Sequence, residues 1–129
     1  EYVEVSVDLY KLISLKSQSE TGTIPSASIK ISISGVEHAA EVSGNGPVDA
    51  TFKAIESIVN SQSELLLFSV NNITSGTDAQ GEVTVRLSKG GRVVNGLGAD
   101  IDIVIASAKA YLNALNKLFS KLERAHPQI

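Results

Sequence analysis

Apolar and polar residues alternate twice along this chain, in the same frame and with the same lead-in. In "GTIPSASIKISI" (22–33), Ile29, Ile31 and Ile33 alternate with Ser28, Lys30 and Ser32. In "GTDAQGEVTVRL" (76–87), Val83, Val85 and Leu87 alternate with Glu82, Thr84 and Arg86. Period-two alternation marks a strand with one buried face. Gly22 and Thr23 also match Gly76 and Thr77, so the chain reads as an internal repeat.

The neighbouring segments repeat as well. "LYKLISLKSQS" (9–19) and "LLLFSVNNI" (65–73) supply a strand before each alternating run. Ser34-Gly35 and Lys89-Gly90-Gly91 supply turns after it, followed by short apolar segments at Ala39–Val42 and Val93-Val94 that predict hairpins. Each hairpin runs into a Gly-x-Gly, Gly44-Asn45-Gly46 and then Gly96-Leu97-Gly98. Helical periodicity follows. Val48, Phe52, Ile55 and Val59 form one stripe, with Pro47 suited to the first turn. The second helix is predicted from about Asp102 to Arg124, with Val104, Ala108, Tyr111, Leu115, Leu118 and Leu122 on one stripe and Ile105, Leu112 and Phe119 on another. Two apolar faces fit either a subunit interface or coverage within one chain, and the spacing favours the interface.

The predicted fold class is therefore α+β, built from two pseudo-symmetric βββα units in a single domain, 1–129. The first unit spans 10–60 and the second 64–124. Residues 1–9 are expected to be a linker or an edge strand, and "RAHPQI" a frayed terminus.

Composition narrows the function classes. A 129-residue chain that is 43% hydrophobic suits one globular domain with a real core. A net charge of −3 lacks the basic footprint of a nucleic-acid binder. Apolar runs reach only four residues, as at Leu65 to Phe68, far short of a membrane span, and no secretory pattern opens the chain. With no cysteine, disulfides, thiolate catalysis and Cys–zinc sites are excluded. Methionine is absent even at position 1, so the chain is expected to be a fragment or a processed product.

Catalytic constellations are not found. His38, in a predicted loop, and His126, beside Pro127, have no partner at metal or triad spacing and read as surface histidines. Asp100 and Asp102 bracket the second helix start, where carboxylates cap N–H groups. Gly46 is followed by Pro47 rather than the Lys-Ser/Thr of a phosphate loop. Each Gly-x-Gly could present backbone N–H groups to an anion such as a carboxylate, or simply permit a tight turn. Asn72-Ile73-Thr74 matches the glycosylation triplet, which is common by chance.

Three motifs in order, "GNGPVDATFKAI" (44–55), "GTDAQGEVTVRL" (76–87) and "DIVIASAKAYLNALNKL" (102–118), resemble the C-terminal regulatory domain of 2-isopropylmalate synthase, from about Tyr10 to Leu122. Citramalate synthase carries a related domain. The resemblance implies a non-catalytic domain that dimerises and binds a pathway end product, leucine or isoleucine, to inhibit its parent. It implies a cytoplasmic acyltransferase whose upstream (β/α)₈ barrel holds a divalent metal and uses acetyl-CoA. No cofactor, nucleic acid or membrane partner is expected for the domain itself. The effector residues it implies are Asn45, Gly46, Pro47, Val48 and Asp49 at the first turn, Leu65, Phe68 and Asn72 on the strand after it, Ala79 and Gly81 at the next turn, and Ile101 at the second helix start. The ammonium group is left with Asp49, Asp78 or backbone carbonyls as partners. A dimerisation module without effector binding, and a small enzyme in its own right, are the competing classes.

Overall fold

A computed structural model describes residues 2–5, 8–73, 80–119 and 121–124, with side chains for 8–71 and 80–119. The elements run β1 (Tyr2–Val5), β2 (Tyr10–Gln18), β3 (Ser26–Ile33), β4 (Val36–Ser43), α1 (Pro47–Val59), β5 (Glu64–Ile73), β6 (Gln80–Lys89), β7 (Arg92–Asp100), α2 (Ile103–Leu118) and β8 (Lys121–Arg124). They form two antiparallel three-stranded sheets, β2-β3-β4 and β5-β6-β7, and a β1-β8 ribbon. The architecture is α+β, with a βββα unit repeated.

The alternating runs behave as their pattern dictates. Ala27, Ile29 and Ile31 on β3 and Val83, Val85 and Leu87 on β6 are buried under the helices. Burying each of these isoleucine, valine and leucine side chains contributes about 1.5–3 kcal/mol. Their polar neighbours point to the opposite faces. The third strands are full-length partners of eight and nine residues rather than short segments. His38 consequently lies in β4, paired with Ile31, and not in a loop.

Two predictions about the second unit are corrected. Gly96-Leu97-Gly98 is no helix-entry turn, because it lies inside β7. A Cβ on Gly96 would come within 2.1 Å of the Ala110 carbonyl oxygen and 2.4 Å of the Ala114 nitrogen, and one on Gly98 within 2.3 Å of the Ala106 carbonyl oxygen. The glycines let α2 lie directly on the strand, meeting it with Ala106, Ala110 and Ala114, one residue per turn. The segment that enters α2 is Asp100-Ile101-Asp102, which is thus the structural counterpart of Gly44-Asn45-Gly46.

The second helix ends at Leu118, not near Arg124, and Leu122 belongs to β8, paired with Glu4. Nor does α2 keep a broad free apolar face. Ala108, Tyr111, Leu112, Leu115 and Leu118 are all buried within the chain. Asn116 fixes this arrangement: its Oδ1 accepts the Tyr10 N–H at 2.8 Å and its Nδ2 donates to the Tyr10 carbonyl at 2.9 Å.

The two helices lie side by side with their C-terminal ends together. Lys89 bridges those ends, donating from Nζ to the Ser61 carbonyl at 2.6 Å and lying 5.4 Å from the centre of the Phe119 ring. Eight residues before Asn60 and before Phe119, the C-caps, Phe52 and Tyr111 stack with ring centres 4.6 Å apart. Both helix N-termini therefore point to the same end of the domain.

Replacing Gly96 by Ala is expected to cost at least about 1–3 kcal/mol, because the added methyl meets helix backbone rather than a side chain that can swing away. A fall in Tm of about 4 °C or more checks this. An unchanged Tm would mean that α2 does not rest on β7 in this way.

Candidate functional site

The first helix starts on an open N-terminus. Gly46 is its N-cap, in extended conformation (φ −172°, ψ 175°), with Pro47 next and no side-chain cap. A Cβ on Gly46 would meet nothing within 4 Å, whereas one on Gly44 would strike the Ala50 backbone nitrogen at 2.6 Å. Packing therefore requires glycine at 44, while the space beside 46 stays open. The start of α2 differs: Asp102 Oδ1 accepts the N–H groups of Val104 (2.8 Å) and Ile105 (3.3 Å), and this end is capped by its own side chain.

Asp49, in the first turn of α1, reaches back to accept the Asn45 N–H at 2.8 Å and pairs with Lys53 at 3.0 Å. The bond ties the first turn of α1 to the residue before its Gly46 N-cap. At α2 the carboxylate lies before the helix: Asp100, at the end of β7, accepts the N–H of the Asp102 N-cap at 3.0 Å and pairs with Lys109 at 3.0 Å. In each, the backbone N–H first and the lysine second hold the carboxyl below its ordinary value of 3.8.

The apolar side of the site lies on β5. Leu65, Phe68 and Val70 pair with Leu87, Val85 and Val83, and so project to the helix side of the sheet. The equivalent residues of the first sheet, Tyr10, Leu12 and Leu15, pack against the core. Those of β5 remain open, at 44%, 38% and 40% exposure. The cause is the shorter first helix. The offset that maps Gly44 onto Asp100 maps Asn60 onto Asn116, the residue that clamps α2 to β2. Asn60 is instead the C-cap of α1, in left-handed conformation (φ 48°), so α1 ends where a matching clamp would begin.

Phe68 meets α1 through Phe52, ring centres 5.7 Å apart and nearly perpendicular. Val48 lies one turn earlier on the same helix. Phe52 and Phe68 meet at the seam between α1 and β5, and Val48 and Val70 are the next residues on the same faces, Val48 toward the start of α1. Behind Phe52 stands Tyr111, 4% exposed, whose hydroxyl donates to Glu56 Oε2 at 2.5 Å. Glu56 also accepts the Ser61 N–H at 2.8 Å and the Ser61 hydroxyl at 2.6 Å. Burial first, and the Glu56 carboxylate second, push the Tyr111 phenol far above its ordinary value.

The sequence-predicted residues fall into three groups. Asn45 to Asp49 form the entry to α1, and Leu65 and Phe68 line the open strip of β5. Gly81 is buried at the other helix start, where a Cβ would strike Ile103 Cδ1 at 1.9 Å, and it pairs with Asp100. Beside it, Ile101 is 78% exposed. The Asn72 side chain, Ala79, Asp78, Thr74 and His126 lie outside the described residues. Phe52 and Tyr111 read in the sequence only as core stripe positions, and Val70 not at all. The alternation Phe68–Val70, in register with Val85 and Val83, is the signal that could have found Val70.

A separate depression of about 440 Å³ lies on the outer face of the first sheet, among Ser14, Lys16, Ser28, Lys30, Ala39 and Glu41. It contains none of the predicted residues. Among the described residues, no group of three or more His, Asp or Glu could hold a metal ion, and no helix is long and apolar enough to cross a membrane.

Tyr111→Phe keeps the ring but leaves Glu56 one donor short. It is expected to cost about 1–3 kcal/mol in urea denaturation, the range for a buried polar group left under-bonded. The aspartates give a pH dependence of definite sign. Their folded values are depressed, so their stabilisation is fully present above pH 3.8 and is lost as pH falls through the folded values. Asp49→Asn with Asp100→Asn is expected to flatten stability between about pH 5 and about pH 2, followed by urea titration at each pH.

The chain matches the family of the LeuA allosteric (dimerisation) domain over residues 1–119. It is 71% identical to 2-isopropylmalate synthase of Nitrosospira multiformis over 120 residues, 93% of this chain and 24% of that protein. It is 68% identical to the synthase of Thiobacillus denitrificans over the same shares, and 65% identical to that of Nitrosomonas europaea over 98% of this chain and 25% of that protein. The chain spans about a quarter of the length of the curated relatives it matches. A family match along nearly the whole chain and a repeated βββα architecture agree, and the chain belongs to the LeuA allosteric (dimerisation) domain family.

Proposed function

We propose that this domain binds leucine and thereby inhibits a 2-isopropylmalate synthase of which it is the regulatory part. The single observation that carries the reading is the pairing of an uncapped helix N-terminus with an open apolar strip at one seam. The N–H groups of Val48 and Asp49, at the positive end of α1, suit the effector carboxylate, and the open space beside Gly46 lets it approach. Val48, Phe68 and Val70 suit its side chain. Asp49, on the same first turn, is the proposed anionic partner for the ammonium group. Asn45, Pro47, Leu65, Asn72, Ala79, Gly81 and Ile101 complete the proposed set.

Tight binding of so small a ligand needs enclosure. Micromolar affinity is about −8 kcal/mol, spread over roughly nine heavy atoms. The strip on β5 is open in a single chain, so a second copy is proposed to close it, which joins effector binding to homodimerisation. The allosteric (dimerisation) description of the family supports an effector and a second copy. The rest of the proposal comes from the resemblance of the sequence motifs: an upstream catalytic barrel with a divalent metal and acetyl-CoA, an acyltransferase reaction in leucine synthesis, and a cytoplasmic setting. Coupling between effector and barrel of about 1–3 kcal/mol would suffice for regulation.

Calorimetric titration with leucine and isoleucine tests the reading. Saturable heat with leucine is expected, with Phe68→Ala weakening affinity by at least about tenfold while the dimer persists. Tighter binding of isoleucine would favour a citramalate synthase effector. No heat and no melting shift at millimolar levels of either would leave a dimerisation module without effector.

A further inference from the structure

The aromatic side chains of the seam form a graded series from solvent to core. Phe68 is 38% exposed, Phe52 is half-buried and Tyr111 is 4% exposed. Phe52 touches both neighbours, edge-to-face with Phe68 at 5.7 Å and tilted against Tyr111 at 4.6 Å. A side chain entering beside Phe68 from the open strip therefore meets the Phe52 ring before it reaches the core. Phe52 cannot retreat, because Tyr111 stands directly behind it. Nor can Tyr111, whose hydroxyl is held by Glu56, which is itself held by the Ser61 amide and hydroxyl.

We propose that Phe52 is a specificity-determining residue of the effector slot: its ring, backed by Tyr111, is the floor that sets how long an effector side chain the slot admits. The inference rests on the effector reading above. A fixed aromatic floor suits a four-carbon branched side chain and rejects longer ones. Discrimination by shape in apolar slots amounts to about 10–200-fold per methylene-sized difference. Removing the floor should therefore change which amino acid is preferred, and not merely how tightly all of them bind.

The test is made in the full-length chain that carries this domain. Calorimetric dissociation constants are measured for leucine, methionine and phenylalanine in the wild type, Phe52→Leu and Phe52→Ala. Phe52→Leu keeps an apolar filler and guards against simple unfolding, and circular dichroism checks each variant. Leu97→Ala, on the outer face of the second sheet, is the control. The ratio of methionine or phenylalanine affinity to leucine affinity is expected to rise at least about tenfold in a Phe52 variant and to stay unchanged in Leu97→Ala. A ratio within about twofold of wild type in both Phe52 variants, whether or not all three ligands bind more weakly, overturns the proposal while leaving the effector reading in place. A wild type that binds none of them overturns the effector reading itself, and this inference with it.

Discussion

Tyr111 joins the two halves of the domain through two kinds of contact at once. Its ring stacks on Phe52 of α1, and its hydroxyl ends on the carboxylate of Glu56, one turn further along the same helix. The apolar contact favours many relative positions of the two helices, since dispersion and burial are non-directional. The hydrogen bond favours few. Glu56 is in turn satisfied by an amide and a hydroxyl of Ser61, in the loop that leads into β5. Lys89 then ties that loop to β6 and to the ring that caps α2. One half-buried carboxylate thus fixes helix register, loop position and the level at which β5 begins.

That arrangement decides where the domain departs from its own symmetry. Two copies of a βββα unit could have covered each other equally. Asn116 reaches the first strand of the opposite unit and fastens α2 to it. Asn60, its counterpart, is spent on a left-handed helix cap. The second helix therefore covers β2, whereas the first does not cover β5 to the same extent. The open strip of Leu65, Phe68 and Val70 is the direct consequence. It meets α1, the helix of the pair whose N-terminus has no side-chain cap, through Phe52 and Phe68.

Much of this was legible in the sequence because it depends on short-range pattern. Ile29, Ile31 and Ile33 announce a half-buried strand wherever they occur, and the echo at Val83, Val85 and Leu87 announces the repeat. What was not legible depends on partners far away in the chain. Leu122 continues the helical spacing of Leu115 and Leu118, but Lys121–Arg124 forms a strand by pairing with Tyr2–Val5. Gly96 and Gly98 look like a turn, and only the alanines of α2 reveal that they clear space for a helix. The candidate site was partly legible in the same sense. Asn45 to Asp49 and Phe68 reach one seam, but Phe52 and Tyr111 look like any stripe residues until their rings are placed between Phe68 and Glu56.

Amide chemical shifts report residue by residue where an effector sits. In a nitrogen–proton correlation spectrum titrated with leucine, the largest changes are expected at Val48 and Asp49 at the start of α1 and at Phe68 and Val70 of β5. Changes confined to Ser28, Lys30 and Glu41, on the outer face of the first sheet, would contradict this placement of the effector.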